Sequence, residues 1–369
     1  EDYMQRAAEL GQKAVAVTEH GSLASAYEFQ TQGDKYGIKT IIGNEMYCVP
    51  DRFRQGLTDE EKEGLTPTEV RDANKARLKS PHLLLLAETD EGLQNLYRLN
   101  YYAATQGFYG KPRIDLRLLA KYSKGLIATT TCVISNMARY FQNKEIDKMT
   151  GFFSDMAGIF GPDNLFIEMH PHDLDMQLEY NQVLIEMFRK EYEGFKCILA
   201  NDVHYVLKEH NETHNFLWRL NTDGRIDEAG VDSLYMASED EMRNMWHKNG
   251  HADIIGEEYL EEAIETTKTI ANRCNARLDV KTLKEPKFNV PNGYKDGKAY
   301  ILDLLQKGMA DKVRSKLIVE EDIPKYVDRL KIELELIADK GYIDYFLITN
   351  DFTQWAYEND ILMSPGRGS

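Results

Sequence analysis

The sequence predicts an α/β fold built on a parallel sheet that passes into a mainly helical segment. Three observations carry this. Up to about residue 280, short apolar runs alternate with longer stretches of helical periodicity, a rhythm that implies a parallel sheet, open or closed into a barrel. Five of those runs carry a His, Asp, Glu or Cys at or beside one end. After Pro286 and Pro291 the strand signals stop and amphipathic helices follow.

The first run, 14–17, leads into Thr18-Glu19-His20-Gly21, and the second, 40–42, passes through Gly43-Asn44 to Glu45. His82 opens the leucine run 83–86, residues 125–128 lead through three threonines to Cys132, and 197–200 lead into Asn201-Asp202-Val203-His204. Runs of this length between turn residues read as buried parallel strands; 164–169 is a further strand-like run. Residues 22–36, 91–105, 144–159 and 178–192 space their apolar side chains at helical intervals. The charged stretch 51–80 reads as a surface insertion with a helical piece at 59–63. Helices are expected at 238–246 and 259–274, and again near 300–316, 323–340 and 345–357. The Pro- and Gly-containing stretch 283–293 marks a boundary, giving one domain over 1–283 and a second segment over 284–369.

Composition narrows the function. With 42% hydrophobic and 29% charged residues the chain is an ordinary globular one, and no apolar run approaches the ~20 residues of a membrane span. The cysteines Cys48, Cys132, Cys197 and Cys274 are scattered without paired spacing, which favours a reducing cytoplasm over a disulfide framework. A net charge of −16 argues against a broad nucleic-acid-binding surface, although bound cations would reverse the field locally. The chain opens inside a helical pattern and stops in a glycine-rich loop, and so reads as an excerpt from a longer polypeptide.

Open α/β sheets and α/β barrels place their chemistry at the carboxyl ends of strands. His, Asp, Glu and Cys gathered there describe a metal-dependent site. Asp202 and His204, two apart on an extended strand, would point the same way, and a Cys beside imidazole and carboxylate shifts the preference toward zinc. His170-Pro171-His172-Asp173 reads as a loop opening the next helix at the rim of the site. His210 and His214 share a helical face but lack the adjacent Glu of a His-Glu-x-x-His site, and read as a packed or solvated pair. His247 and His251 read as surface residues; Cys48, Cys197 and Cys274 read as core.

Longer motifs then make a family visible. Residues 14–47, AVAVTEHGSLASAYEFQTQGDKYGIKTIIGNEMY, with HLLLLAETDEGLQNLYRLN (82–100), GFYGKPRID (107–115), LANDVHY (199–205), KIELELIADKGYIDYFLITNDF (331–352) and the terminal SPGRGS, resemble the PHP (polymerase and histidinol phosphatase) domain and palm start of bacterial C-family DNA polymerase III α subunits. Glu45 and His82 stand too close to hold an inserted proofreading domain, so the resemblance is to the uninterrupted form.

The resemblance implies a PHP-type distorted (β/α) barrel followed by a mainly helical segment entering the palm. It implies a metal-ligand set of His20, Glu45, His82, Cys132, Asp202 and His204, with Asp202, His204 and His20 catalytic. A His-x-His motif and an Asp of the family would precede Glu1. Glu19 stands where the family has Asp, next to a ligand but not one itself. All six visible positions keep a ligand-type side chain, which favours an active 3′–5′ exonuclease using zinc or manganese. Gly366, Arg367, Gly368 and Ser369 match the loop that holds the incoming triphosphate. Magnesium would serve a polymerase site whose aspartates lie outside this chain. Primer–template DNA, deoxynucleoside triphosphates, a sliding clamp and other replisome subunits are the implied partners, with no membrane. A free-standing PHP phosphatase and a catalytically silent scaffold are the competing readings.

Overall fold

The computed structural model describes residues 1–78, 80–221, 231–280, 282, 285–364 and 366, and of residues 75–78 and 175 the backbone alone. The chain divides into two compact units, Glu1–Leu278 and Asp279–Ser369.

In the first unit seven strands form one mixed sheet, curled as a half-barrel. They are β1 (Ala14–Val17), β2 (Lys39–Cys48), β3 (His82–Ala87), β4 (Arg113–Ile114), β5 (Leu126–Thr129), β6 (Leu165–Met169) and β7 (Lys196–Leu199). The order is β1-β2-β3-β5-β6-β7, with β4 paired to the end of β2. β1 runs parallel to β2, and β5, β6 and β7 run parallel to one another. β3 corrects the expectation of an all-parallel sheet, since it is antiparallel to both β2 and β5. The reversal explains why His82 opens its run rather than closing it. Read backwards against β2, His82 pairs with Tyr47, so the amino end of β3 meets the carboxyl end of β2.

The leucines of β3 are apolar on both sides because both sides are covered. Leu83 and Leu85 face the main core with Met46, Leu96, Leu99, Met137 and Phe153; Leu86 faces a smaller cluster with Ile41, Ile127, Phe166 and Ile270. Side chains alternate across a strand, so a run buried on both faces carries no polar alternation for a reader to use.

The helices begin where their caps say they should. Thr89, Asp115 and Ser135 accept from the backbone N–H three residues on, and Ser238 with Glu241 completes a capping box. Gly92, in the first turn of helix Asp90–Thr105, lies so close to the Gly125 carbonyl that a Cβ there would stand 1.8 Å from its oxygen. This contact seats the helix on the turn entering β5. Glu262 of helix Glu257–Arg273 accepts from Arg189 at 2.9 and 2.6 Å and from the Cys197 N–H at 3.0 Å, fixing the start of β7. The stretch 51–80 holds a second helix, Pro67–Leu78, besides Asp59–Lys62; its short apolar repertoire hid that helix from periodicity.

The second unit is helical. Helices Gly297–Arg314, Ile323–Asp339 and Ile343–Glu358 enclose a small core of Ile301, Leu334 and Leu347, with Phe288 and Tyr300 packed against it. Asp344 accepts from Lys287 Nζ at 2.9 Å and the Phe288 N–H at 3.2 Å, which ties the incoming segment to the third helix. No helix among the described residues is long and apolar enough to cross a membrane.

Candidate metal centre

The end of β1 and the start of β3 converge on a carboxylate carried within β2. The parallel pairing of β1 and β2 continues past β1 into an isolated bridge between His20 and Glu45, held by the Glu45 N–H to Glu19 O (3.0 Å) and the Gly21 N–H to Glu45 O (2.9 Å). Gly21 has φ +60°, and a Cβ on it would meet Pro112 at 2.8 Å and the Tyr47 ring at 3.2 Å. Only glycine suits that turn, and it aims His20 back over β2. Glu19 is spent elsewhere, its carboxylate accepting from the Ser25 N–H at 2.9 Å.

Glu45 sits between two imidazoles. Its Oε2 lies 2.8 Å from His20 Nε2 and its Oε1 lies 3.0 Å from His82 Nδ1. Cys132, brought in by the threonine turn after β5, places Sγ 3.7 Å from Glu45 Oε1 and 3.7 Å from His82 Nδ1. Burial alone would raise the Glu45 pKa, but the bonds from His20 and His82 outweigh it and hold the carboxyl at about 2. The bond to Glu45 raises His20 against the effect of its own burial. Burial, with Glu45 and Asp202 nearby, holds the Cys132 thiol well above its ordinary range.

Donor atoms of His20, Glu45 and His82 all lie within 4.8 Å of one another. Two imidazoles, a carboxylate and an adjoining thiol are the donor set of a zinc- or manganese-type ion. The residues therefore fit such an ion, which would take Cys132 as the thiolate.

Asp202 and His204 arrive by a route the sequence did not show. β7 ends at Leu199, and Asp202 has φ +50°, so the pair lies in a loop rather than on an extended strand. The His204 ring turns back so that Nδ1 donates to the Asp202 carbonyl at 2.6 Å. A carbonyl can only accept, so Nδ1 carries a proton, which leaves Nε2 as the nitrogen a metal could take. Asp202 stands close enough for its charge to act on His20, Cys132 and His170. His204 packs its ring 5.6 Å from His214 and stands outside the tight group of His20, Glu45 and His82.

Two groups deserve more weight than their spacing suggested. Glu168 on β6 is buried, accepts from Thr129 Oγ1 and lies 2.8 Å from His170 Nε2. Burial would lower the His170 pKa, but Glu168, Asp202 and Glu45 together raise it. His170 and His172 are interior residues rather than rim residues, and His170 lies near enough to the centre to feel the charge of Glu45. His172 bonds Ser233 at 2.8 Å, and burial beside other imidazoles lowers its pKa to about 3. Strand β6 carried the signal, since a Glu within a wholly apolar run asks for a buried partner. His251 is a correction: it is fully buried, stacked on Trp246 at 4.9 Å with its Nδ1 3.5 Å from Asn181. His247 is exposed beside Glu257. His210 and His214 do not form a joint site; His210 Nδ1 lies 3.4 Å from the Leu207 N–H, and His214 packs among His204, Tyr205 and Trp218. Arg367, Gly368 and Ser369 lie outside the described residues.

Comparison with known proteins agrees with this architecture. Residues 1–172 match the PHP domain family and residues 299–369 the bacterial DNA polymerase III alpha NTPase domain family. The DNA polymerase III subunit alpha of Aquifex aeolicus is 33% identical across 100% of this chain, which covers 31% of that protein. Those of Saccharopolyspora erythraea and Treponema pallidum are 32% and 30% identical over 96% and 99% of the chain, each covered to 29%. The chain thus spans less than a third of the length of these relatives. The PHP match over 1–172, the polymerase match over 299–369 and the similarity that runs along the whole chain place it in the family of bacterial DNA polymerase III α subunits.

Proposed function

We propose that this chain belongs to a replicative DNA polymerase whose PHP domain, residues 1–283, is a metal-dependent phosphodiesterase that removes nucleotides from 3′ ends. The observation that carries the reading is the Glu45 carboxylate held between His20 and His82, with Cys132 3.7 Å away. A purely structural buried carboxylate is satisfied by one cation or by backbone donors; here four metal-type side chains share one point.

His20, Glu45, His82, Cys132, Asp202 and His204 would hold zinc or manganese ions, with His204 presenting Nε2. Bound divalent ions would supply Lewis-acid polarisation of the phosphate and lower the pKa of the attacking water. The chain's own groups do the rest. Asp202, His204 and His20, the catalytic members in this reading, are the more solvent-facing ones of the set, so the phosphate would meet the ions they hold. Cys132 and Glu168 close the buried side against bulk water.

In the same reading, residues 284–369 lead into the polymerase palm. Gly366, Arg367, Gly368 and Ser369 grip the triphosphate of the incoming nucleotide, because a guanidinium between glycines offers a planar fork at close backbone approach. Primer–template DNA and deoxynucleoside triphosphates are then the substrates, magnesium serves the polymerase site, and a sliding clamp and other replisome subunits are partners in the cytoplasm.

Asp202→Asn tests the nuclease. The full-length protein carrying this change should lose 3′ excision of mispaired primers at least about 100-fold while keeping its polymerase activity. Excision at the parental rate would remove the PHP centre from the reaction. Hydrolysis of small phosphate monoesters, with none of DNA, would favour the phosphatase reading.

A further inference from the structure

The motif GFYGKPRID supplies none of the ligands; its carboxyl end enters the sheet as β4 and the core at Ile114, while the turn before it lies against the centre. Tyr109 and Lys111 close a tight turn, Tyr109 N–H to Lys111 O at 3.0 Å, around Gly110 at φ +66°. Arg113 locks its base, with Nε on the Gly107 carbonyl at 2.9 Å and Nη2 on the carbonyls of Arg52 and Arg54 at 3.1 and 3.0 Å. Gly107 must be glycine, since a Cβ there would stand 2.0 Å from the Arg113 oxygen. Pro112 packs on the Gly21 turn next to His20. The turn is therefore held rigidly against one of the candidate ligands.

Lys111 is what it presents. Its Nζ lies 5.1 Å from the centre of the Tyr47 ring, which is stacked on His20 at 6.2 Å and meets His82 edge-on at 5.5 Å. The ammonium makes no ion pair with a carboxylate among the described residues, and its charge acts on His20. In a chain of net charge −16 an exposed lysine carried on a braced turn beside the candidate centre, with no carboxylate on it among the described residues, offers a place for an anion. Donor groups of the centre itself would serve the scissile phosphate, so a cation outside that set suits a second phosphate. Phe108, on the same turn, is an exposed aromatic, the kind of side chain on which nucleic-acid bases stack.

We propose that Lys111 is a substrate-positioning residue, binding the phosphate next to the scissile one in a single nucleic-acid strand, with Phe108 completing the subsite. This rests on the phosphodiesterase reading for its purpose, but not for its test. On the 369-residue chain with Mn²⁺, fluorescence anisotropy of a 5′-labelled oligothymidylate should show Lys111→Glu raising Kd about tenfold. One lost phosphate contact should also reduce the slope of log K against log salt by about 0.7. Lys111→Arg should restore both. The ratio of kcat/KM for the oligonucleotide to that for bis(p-nitrophenyl) phosphate, which has no second phosphate, should fall about tenfold in Lys111→Glu, through KM. An unchanged Kd and salt slope would overturn the proposal, as would equal losses on the two substrates, which a merely structural role produces. If the parent hydrolyses neither substrate but Lys111→Glu still loses strand affinity, the phosphodiesterase reading fails and the subsite stands.

Discussion

Glu45→Gln separates a metal centre from a buried ion-pair cluster. In the metal-free protein the carboxylate accepts from His20 Nε2 at 2.8 Å and from His82 Nδ1 at 3.0 Å, at a position only 8% exposed. Hydrogen bonds to charged groups are worth about 1.5–3 kcal/mol each, but glutamine keeps one acceptor oxygen for an imidazole N–H, and its amide N–H can donate to the other ring. The metal-free protein should therefore lose only about 1 kcal/mol. Metal binding has no such escape, since a neutral amide oxygen is a poor ligand. A 100-fold loss of affinity corresponds to about 2.7 kcal/mol at 1.36 kcal/mol per decade. The assay is thermal unfolding with and without Mn²⁺ at 100 times the parental Kd. The parent should gain about 2.7 kcal/mol from mass action, and the variant, now at its own Kd, only about 0.4 kcal/mol. An undiminished metal-induced shift in Glu45→Gln would refute the assignment. Lower metal-free stability with the same shift would reduce Glu45 to a structural partner of two histidines.

Two further perturbations test what holds the site in place. Gly92→Ala drives a methyl group into the Gly125 carbonyl, and should cost about 3 kcal/mol as overpacking, seen as a lower Tm; an unchanged Tm would show that the helix is free to shift. Glu262→Gln weakens the Arg189 clamp on β7 by about 1 kcal/mol. Burial would raise the Glu262 pKa, but Arg189 and the Cys197 N–H outweigh it and lower it. A depressed folded-state pKa means stability present above the unfolded value of 4.5 and lost as pH falls through the folded one. The Tm gap between parent and variant should accordingly be full at neutral pH and shrink below about pH 4.5; a gap that widens in acid would contradict the pairing.

How much of this was legible in the chain follows from which interactions are local. The longer helices announced themselves through 3.6-residue periodicity, which acts within a turn or two of the backbone, whereas Leu116–Lys121 and Asn136–Gln142 are too short to show a period and were not legible. The strand cores at 14–17, 83–86, 125–128 and 197–199 were readable from their apolar runs, and His20, Glu45, His82 and Cys132 stood out because each adjoins such a run. Strand direction was not readable. A run buried on both faces looks the same from either end, so the reversal of β3 is decided by its pairing with β2 and β5, 35 or more residues away in sequence.

The sequence by itself, then, determined the residue types of the centre and the elements that carry them, since both are properties of short segments. Tertiary structure alone decided which of those residues meet. Glu45 becomes the pivot only when the Gly21 turn folds His20 over β2 and an antiparallel β3 presents its first residue. Asp202 comes near the cluster as a left-handed loop residue rather than along a strand. Burial was also a tertiary decision: His251 and the Glu168–His170 pair sit inside because Trp246, Asn181 and the threonines Thr129 and Thr130 at the end of β5 close around them. Those contacts come from residues far apart in the chain, and no local pattern could encode them.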